Sequence, residues 1–144
     1  MITRILLAVD DSPDSLAAAR DAVELAGRLR AELRAVHVRT NPIISVALET
    51  RASGRPDGRR TSAAAILSHV TTLAQAAEVD VQTEFLDGDV VPAVLEAAHA
   101  WHAQVLVVGK ATRSTTRSSY VGTQTRHLLE FADLPVLVVP RARG

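Results

Sequence analysis

The sequence predicts an α/β fold, a doubly wound, five-stranded parallel sheet with helices on both faces. Two observations carry that prediction. Five short runs rich in Val, Leu and Ile alternate with four stretches whose apolar residues recur at helical spacing. The junctions between them hold cap and turn residues such as Asp10-Asp11-Ser12-Pro13 and Asp87-Gly88-Asp89. At 144 residues the chain is expected to form one domain with a core that needs no disulfide or metal.

Each element follows in order. Ile5 to Val9 is a short apolar run of the kind buried on both faces of a sheet. Asp10-Asp11-Ser12-Pro13-Asp14 ends it and starts a helix. Ser12 suits the N-cap, Pro13 the first turn, and Asp14 the positive end of the helix dipole. Leu16, Ala19, Val23 and Ala26 then recur at helical spacing, and Leu29 extends the stripe. Leu33 to Val38 reads as the second strand. Residues 39 to about 60 contain Asn41-Pro42, Gly54, Pro56 and Gly58 without sustained periodicity. They predict a long, mobile loop with a short helical piece near Val46 to Glu49. A second helix carries Ile66, Val70, Leu73, Ala74 and Ala77, and the third strand is Val79 to Leu86. After the turn at Gly88, Val91, Val94, Leu95 and Ala98 mark a third helix. Gln104 to Val108 is the fourth strand. Val121, Thr125, Leu128, Leu129 and Ala132 mark the last helix, and Val136 to Val139 the fifth strand.

Composition removes several function classes. Apolar residues make up 47% of the chain and charged ones 22%, which is the balance of a folded globule. Aromatic residues are only 3%, so Ala, Val, Leu and Ile must build the core. The absence of cysteine excludes disulfides, thiolate nucleophiles and Cys-based zinc sites. No apolar run is long enough for a signal peptide or a spanning helix, so a cytoplasmic protein without membrane contact is expected. Sixteen basic and sixteen acidic residues cancel, which argues against a grip on nucleic-acid backbone. The charges are locally uneven. Arg51, Arg55, Arg59 and Arg60 are placed in one loop, and Lys110, Arg113 and Arg117 in another.

Ligands of such sheets bind beyond the carboxyl ends of the strands, where the strand order reverses. With strand one between strands two and four, Asp10, Val38, Gly109 and both basic loops face one crevice. The familiar nucleotide and hydrolase signatures, the P-loop, the Gly-x-Gly-x-x-Gly turn and the Gly-x-Ser-x-Gly elbow, are missing. Asp10 and Asp11 are adjacent on a strand end and point to opposite faces, which makes a poor catalytic pair. His99 and His102 lie three apart on a helix but lack a third ligand, so they read as a solvated pair. His37 reads as a packed histidine at the core edge. What remains is Val105 to Pro140: a buried strand, a loop of small and hydroxyl residues, then Gly122-Thr123 opening a helix. Free backbone N–H groups and a helix N-terminus in that arrangement suit an anion, most naturally a phosphate.

Val9-Asp10-x-Ser12, His37-Val38, Gly88, the Gly109 to Thr123 loop and the closing Pro135-Val-Leu-Val-Val139 occur in order across the chain. Together they resemble the universal stress protein family. The resemblance implies a Rossmann-like sandwich of the adenine nucleotide alpha hydrolase type, with strand order 3-2-1-4-5. It also implies ATP or another adenine nucleotide, with Mg²⁺, as ligand and no fast catalysis. Nucleotide-binding members share Gly-x2-Gly-x9-Gly-Ser/Thr after strand four. Gly109 matches the first glycine, Gly122 and Thr123 the closing pair, and Thr112 stands where the middle glycine belongs. By the same resemblance Asp10 lies near the adenosine and the Val38 backbone meets adenine. Arg113 and Gln124 neighbour the phosphates. Strand five, Val136, Leu137, Val138 and Val139, would be an exposed apolar edge that pairs antiparallel with its copy in a homodimer, bounded by Pro135 and Pro140.

Thr112 divides the functional expectation. A β-branched residue at positive φ costs on the order of 1–3 kcal/mol, so either the loop takes another path or this position needs no positive φ. Hydroxyls and guanidinium forks between Thr112 and Ser119 could then replace backbone contacts to phosphate. One reading is an adenine-nucleotide-binding stress sensor or regulatory module. The other is a dimeric interaction module without nucleotide, whose basic loops meet an acidic protein partner.

Overall fold

The computed structural model describes residues 1–39, 58–111 and 121–141, and of residues 58–62 the backbone alone. In chain order the elements are β1 (Arg4–Ala8), α1 (Pro13–Leu29), β2 (Glu32–Arg39), α2 (Gly58–Ala76), β3 (Val81–Asp87), α3 (Val90–Trp101), β4 (Val105–Gly109), α4 (Thr123–Phe131) and β5 (Val136–Val139). The strands form one parallel sheet in the order β3-β2-β1-β4-β5, as the sequence predicts.

Strand alternation sorts the core into two layers. Ile5 and Leu7 of β1 point to one face with Leu33, Ala35, Val105 and Val107, and meet α1 and α2 there. Leu6, Val36, Leu106 and Val108 point to the other face and meet Val94 and Ala98 of α3 and Leu128 of α4. Ile5, Leu6 and Leu7 are all fully buried, as expected for a central strand covered on both sides.

Helix α1 starts where the sequence places it. The Ser15 N–H donates to Ser12 Oγ at 3.1 Å, and Pro13 occupies the first turn. Such a cap is worth about 1 kcal/mol. The buried stripe is rotated from the predicted one: it runs through Asp14, Ser15, Ala18, Ala19, Ala22, Val23 and Ala26. Leu16 and Leu29, assigned to the stripe from spacing, are 36% and 38% exposed. The reason is packing distance. Four alanines let the helix lie close on the sheet, so the larger leucines are displaced to its flanks.

Other boundaries also shift. Helix α2 begins at Gly58, so Arg59 and Arg60 belong to its first turn rather than to the preceding loop. Strand β3 starts at Val81 rather than Val79. The chain first closes α2 through Glu78 at φ 57°, with the Val79 N–H donating to Ala74 O at 2.8 Å. Val121 precedes α4, Ala132 follows it, and Leu129 is 47% exposed. The short helix expected near Val46 to Glu49, and Arg51 and Arg55, lie outside the described residues, as do Thr112, Arg113 and Arg117.

Candidate functional site

The sheet order reverses between β1 and β4, and this is where the sequence-predicted residues gather. Strand β1 ends at Ala8, opposite Val36 of β2, while Leu7 lies opposite Val107 of β4. Asp10 and Val38 each stand two residues beyond the first pairing, and Gly109 two beyond Val107. All three therefore sit at the carboxyl edge of the sheet, at the ends of the neighbouring strands β2, β1 and β4. The Val9 N–H donates to Val36 O at 3.0 Å, so β2 turns its backbone groups toward β1 at Val36. By the strand period Val38 turns its own to the same edge, past the end of β1.

Asp10 is half-buried and preorganised. Its Oδ1 accepts the Ser12 N–H at 2.8 Å, and its own N–H donates to Ser15 Oγ at 3.0 Å. No hydrogen bond from the described residues reaches Oδ2. Asp11 is exposed. His37 is half-buried beside this turn, with Nδ1 at 2.8 Å from Val9 O and its ring edge-on to Phe85. A carbonyl only accepts, so Nδ1 carries the proton.

The chain leaving β4 is held at both ends of its loop. The Lys110 N–H donates to Val139 O at 2.8 Å, and the Ala111 N–H to Asp14 Oδ2 at 3.0 Å. On the return side the Gly122 N–H donates to Lys110 O at 2.9 Å, and Thr125 Oγ1 to Gly109 O at 2.8 Å. These bonds bring residues 110 and 122 together and set the start of α4 beside the end of β4. Gly122 is the N-cap of α4, in extended conformation, and its own position carries no side chain to cap the helix. Thr123 is exposed and Gln124 half-buried on its first turn. The N–H groups and dipole of such a terminus favour an anion.

Gly109 has a steric role. A Cβ there would lie 2.8 Å from the Asp14 carbonyl carbon and 2.9 Å from both Asp14 Cβ and Ser15 N. Close approach of α1 to β4 therefore forbids a side chain. The approach buries Asp14 to 3% exposure, where its Oδ1 accepts from Arg141 Nε at 3.0 Å. Sequence reasoning read Asp14 only as a dipole complement and did not single out Arg141. The available signal was spacing: Asp14 lies four and eight residues before Ala18 and Ala22, on the inner face of the helix.

His99 and His102 lie at the other end of the sheet. With Ala98, Ala103, Asp133 and Leu134 they line an open hollow of about 260 Å³. Among the described residues no group of three or more His, Asp or Glu is placed to hold a metal. No described helix is long and apolar enough to cross a membrane.

Comparison with known proteins bears on the same frame. Universal stress protein MJ0531 of Methanocaldococcus jannaschii is 25% identical over 141 residues, covering 97% of this chain and 83% of that protein. A universal stress protein crystallised in complex with cAMP superposes with a TM-score of 0.71 at 22% identity, covering 98% of both chains. One from Archaeoglobus fulgidus in complex with dAMP gives 0.67 at 21% identity, over 96% of this chain and 99% of that one. These likenesses show a shared fold. The model of the universal stress protein family matches residues 1–140, and the chain belongs to that family.

Proposed function

We propose that this protein binds an adenine nucleotide in the crevice between β1 and β4 and acts as a stress-response sensor or regulatory module. The observation that carries the reading is the double closure between residues 110 and 122, which sets the N-terminus of α4 at the switch point. Asp10 Oδ2 would meet the ribose, the Val38 backbone the adenine, and Gly122, Thr123 and Gln124 the phosphates. Thr112, Arg113 and Mg²⁺ would complete the phosphate site. Relatives of the same fold hold cAMP and dAMP, which supports an adenine ligand. Among the described residues at the crevice none is arranged to activate water, and the proposed role is binding with slow hydrolysis at most. Turnover near 1 per second, an ordinary enzyme rate, would contradict this.

Strand β5 would pair with its copy. Beside its outer edge Leu137 is 40% exposed, and on the opposite face of the sheet α4 carries Leu129 and Phe131, 47% and 68% exposed. Edges of this kind are rarely left uncovered. The same edge strand suits the second reading, a dimeric module without nucleotide that meets a protein partner through its basic loops. Thr112 is what favours that reading. Titration calorimetry with ATP and MgCl₂ on the protein and on Thr112→Gly separates the two. Binding to both supports the nucleotide site, whereas binding only to the glycine variant establishes that Thr112 disables it.

A further inference from the structure

We infer that Asp14 is the positioning residue of the chain's exit from β4 at Ala111 and that Arg141, reaching it from beyond β5, is the handle through which the end of β5 sets that exit. The geometry stands by itself, and its consequence for ligand affinity rests on the nucleotide-binding reading.

The Asp14 carboxylate divides its two oxygens between distant partners. Oδ2 takes the Ala111 N–H and Oδ1 takes Arg141 Nε, both at 3.0 Å. The Asp14 side chain is 4% exposed and that of Arg141 34%. A carboxylate so buried persists when its charge is matched, and here the matching cation comes from near the surface. Ala111 is itself 2% exposed, so the direction of its N–H fixes the peptide plane with which the chain leaves β4.

Three consecutive residues at this exit are gripped from two sides. Gly109 lies against Asp14 and Ser15 of α1, Lys110 is held by Val139, and Ala111 by Asp14. Val139 and Arg141 both belong to the end of the chain that also carries the free β5 edge. Removing the Arg141 charge leaves Asp14 with one neutral donor in a dry site. The carboxylate must then recruit water or turn outward, and in turning it releases the Ala111 N–H. The direction in which the chain leaves Ala111 follows. Whatever displaces Arg141 is therefore felt at Ala111.

The test uses Arg141→Gln, with Asp14→Asn added to it, read by amide exchange at Ala111 and by titration with ATP and MgCl₂. In Arg141→Gln, exchange at Ala111 should accelerate about tenfold, the scale of one charge-assisted hydrogen bond. Amides of Leu6 and Leu7 should keep their rates, and the Kd for ATP should rise by a similar factor. Asn at position 14 still accepts from Ala111 and no longer needs a cation, so the double variant should recover the protection. Unchanged exchange at Ala111, or an acceleration shared equally by the core, overturns the inference. Loss of ATP affinity with Ala111 unaffected overturns it too. A response at Ala111 in a protein that binds no ATP upholds the positioning role and refutes the nucleotide reading. If the double variant does not fold, the exchange result for Arg141→Gln decides.

Discussion

Gly109 has no side chain because α1 leaves no room for one. The family resemblance matches this residue to the first glycine of a phosphate loop, but the structure gives it a packing role before any ligand arrives. Overpacking at a close backbone contact typically costs about 1–3 kcal/mol. Gly109→Ala should therefore lower stability by that amount in urea denaturation, since the new methyl meets the Asp14 and Ser15 backbone rather than a flexible side-chain tip. An unchanged midpoint would show that α1 moves aside freely. Single residues were also where the sequence was least legible. Asp10 could be placed at the crevice from its position after a strand. The pairing of Asp14 with Arg141 spans 127 residues and leaves no local trace.

Elements were more legible, because periods of 2 and 3.6 are local properties. The sequence locates all nine elements of the described residues, and the differences fall at their ends and on their faces. Strand β3 was begun too early because Val79 continues an apolar run, while the left-handed Glu78 that precedes it has no sequence signature. The stripe of α1 was drawn through leucines by size, whereas the sheet selects alanines by fit. Strand β5 shows a consequence of element position. Val138 packs partly against the core, whereas Leu137 is 40% exposed on the other face of the strand. Leu137→Lys is thus the milder disruption for the fold and a severe one for a β5-paired dimer. Sedimentation should show a folded monomer, and a tight dimer would exclude this edge as the interface.

At the scale of the molecule, alternating strands and helices dictated a parallel sheet, and the family resemblance supplied its order. The order in turn placed the crevice. The chemistry of the crevice was less legible than its position. The proposed site relies on backbone N–H groups, and the described ends of the loop are set by long-range anchors such as Val139, Asp14 and Thr125. Those anchors place the ends of the loop so that the start of α4 faces the switch point, the arrangement on which the proposed adenine nucleotide binding depends. The most direct measurement is to heat-denature the purified protein and identify any released nucleotide by chromatography, with a parallel titration by ATP and MgCl₂. Adenine nucleotide released in stoichiometric amount, or saturable ATP binding, is the predicted result. A protein that releases none and takes up no ATP would contradict it.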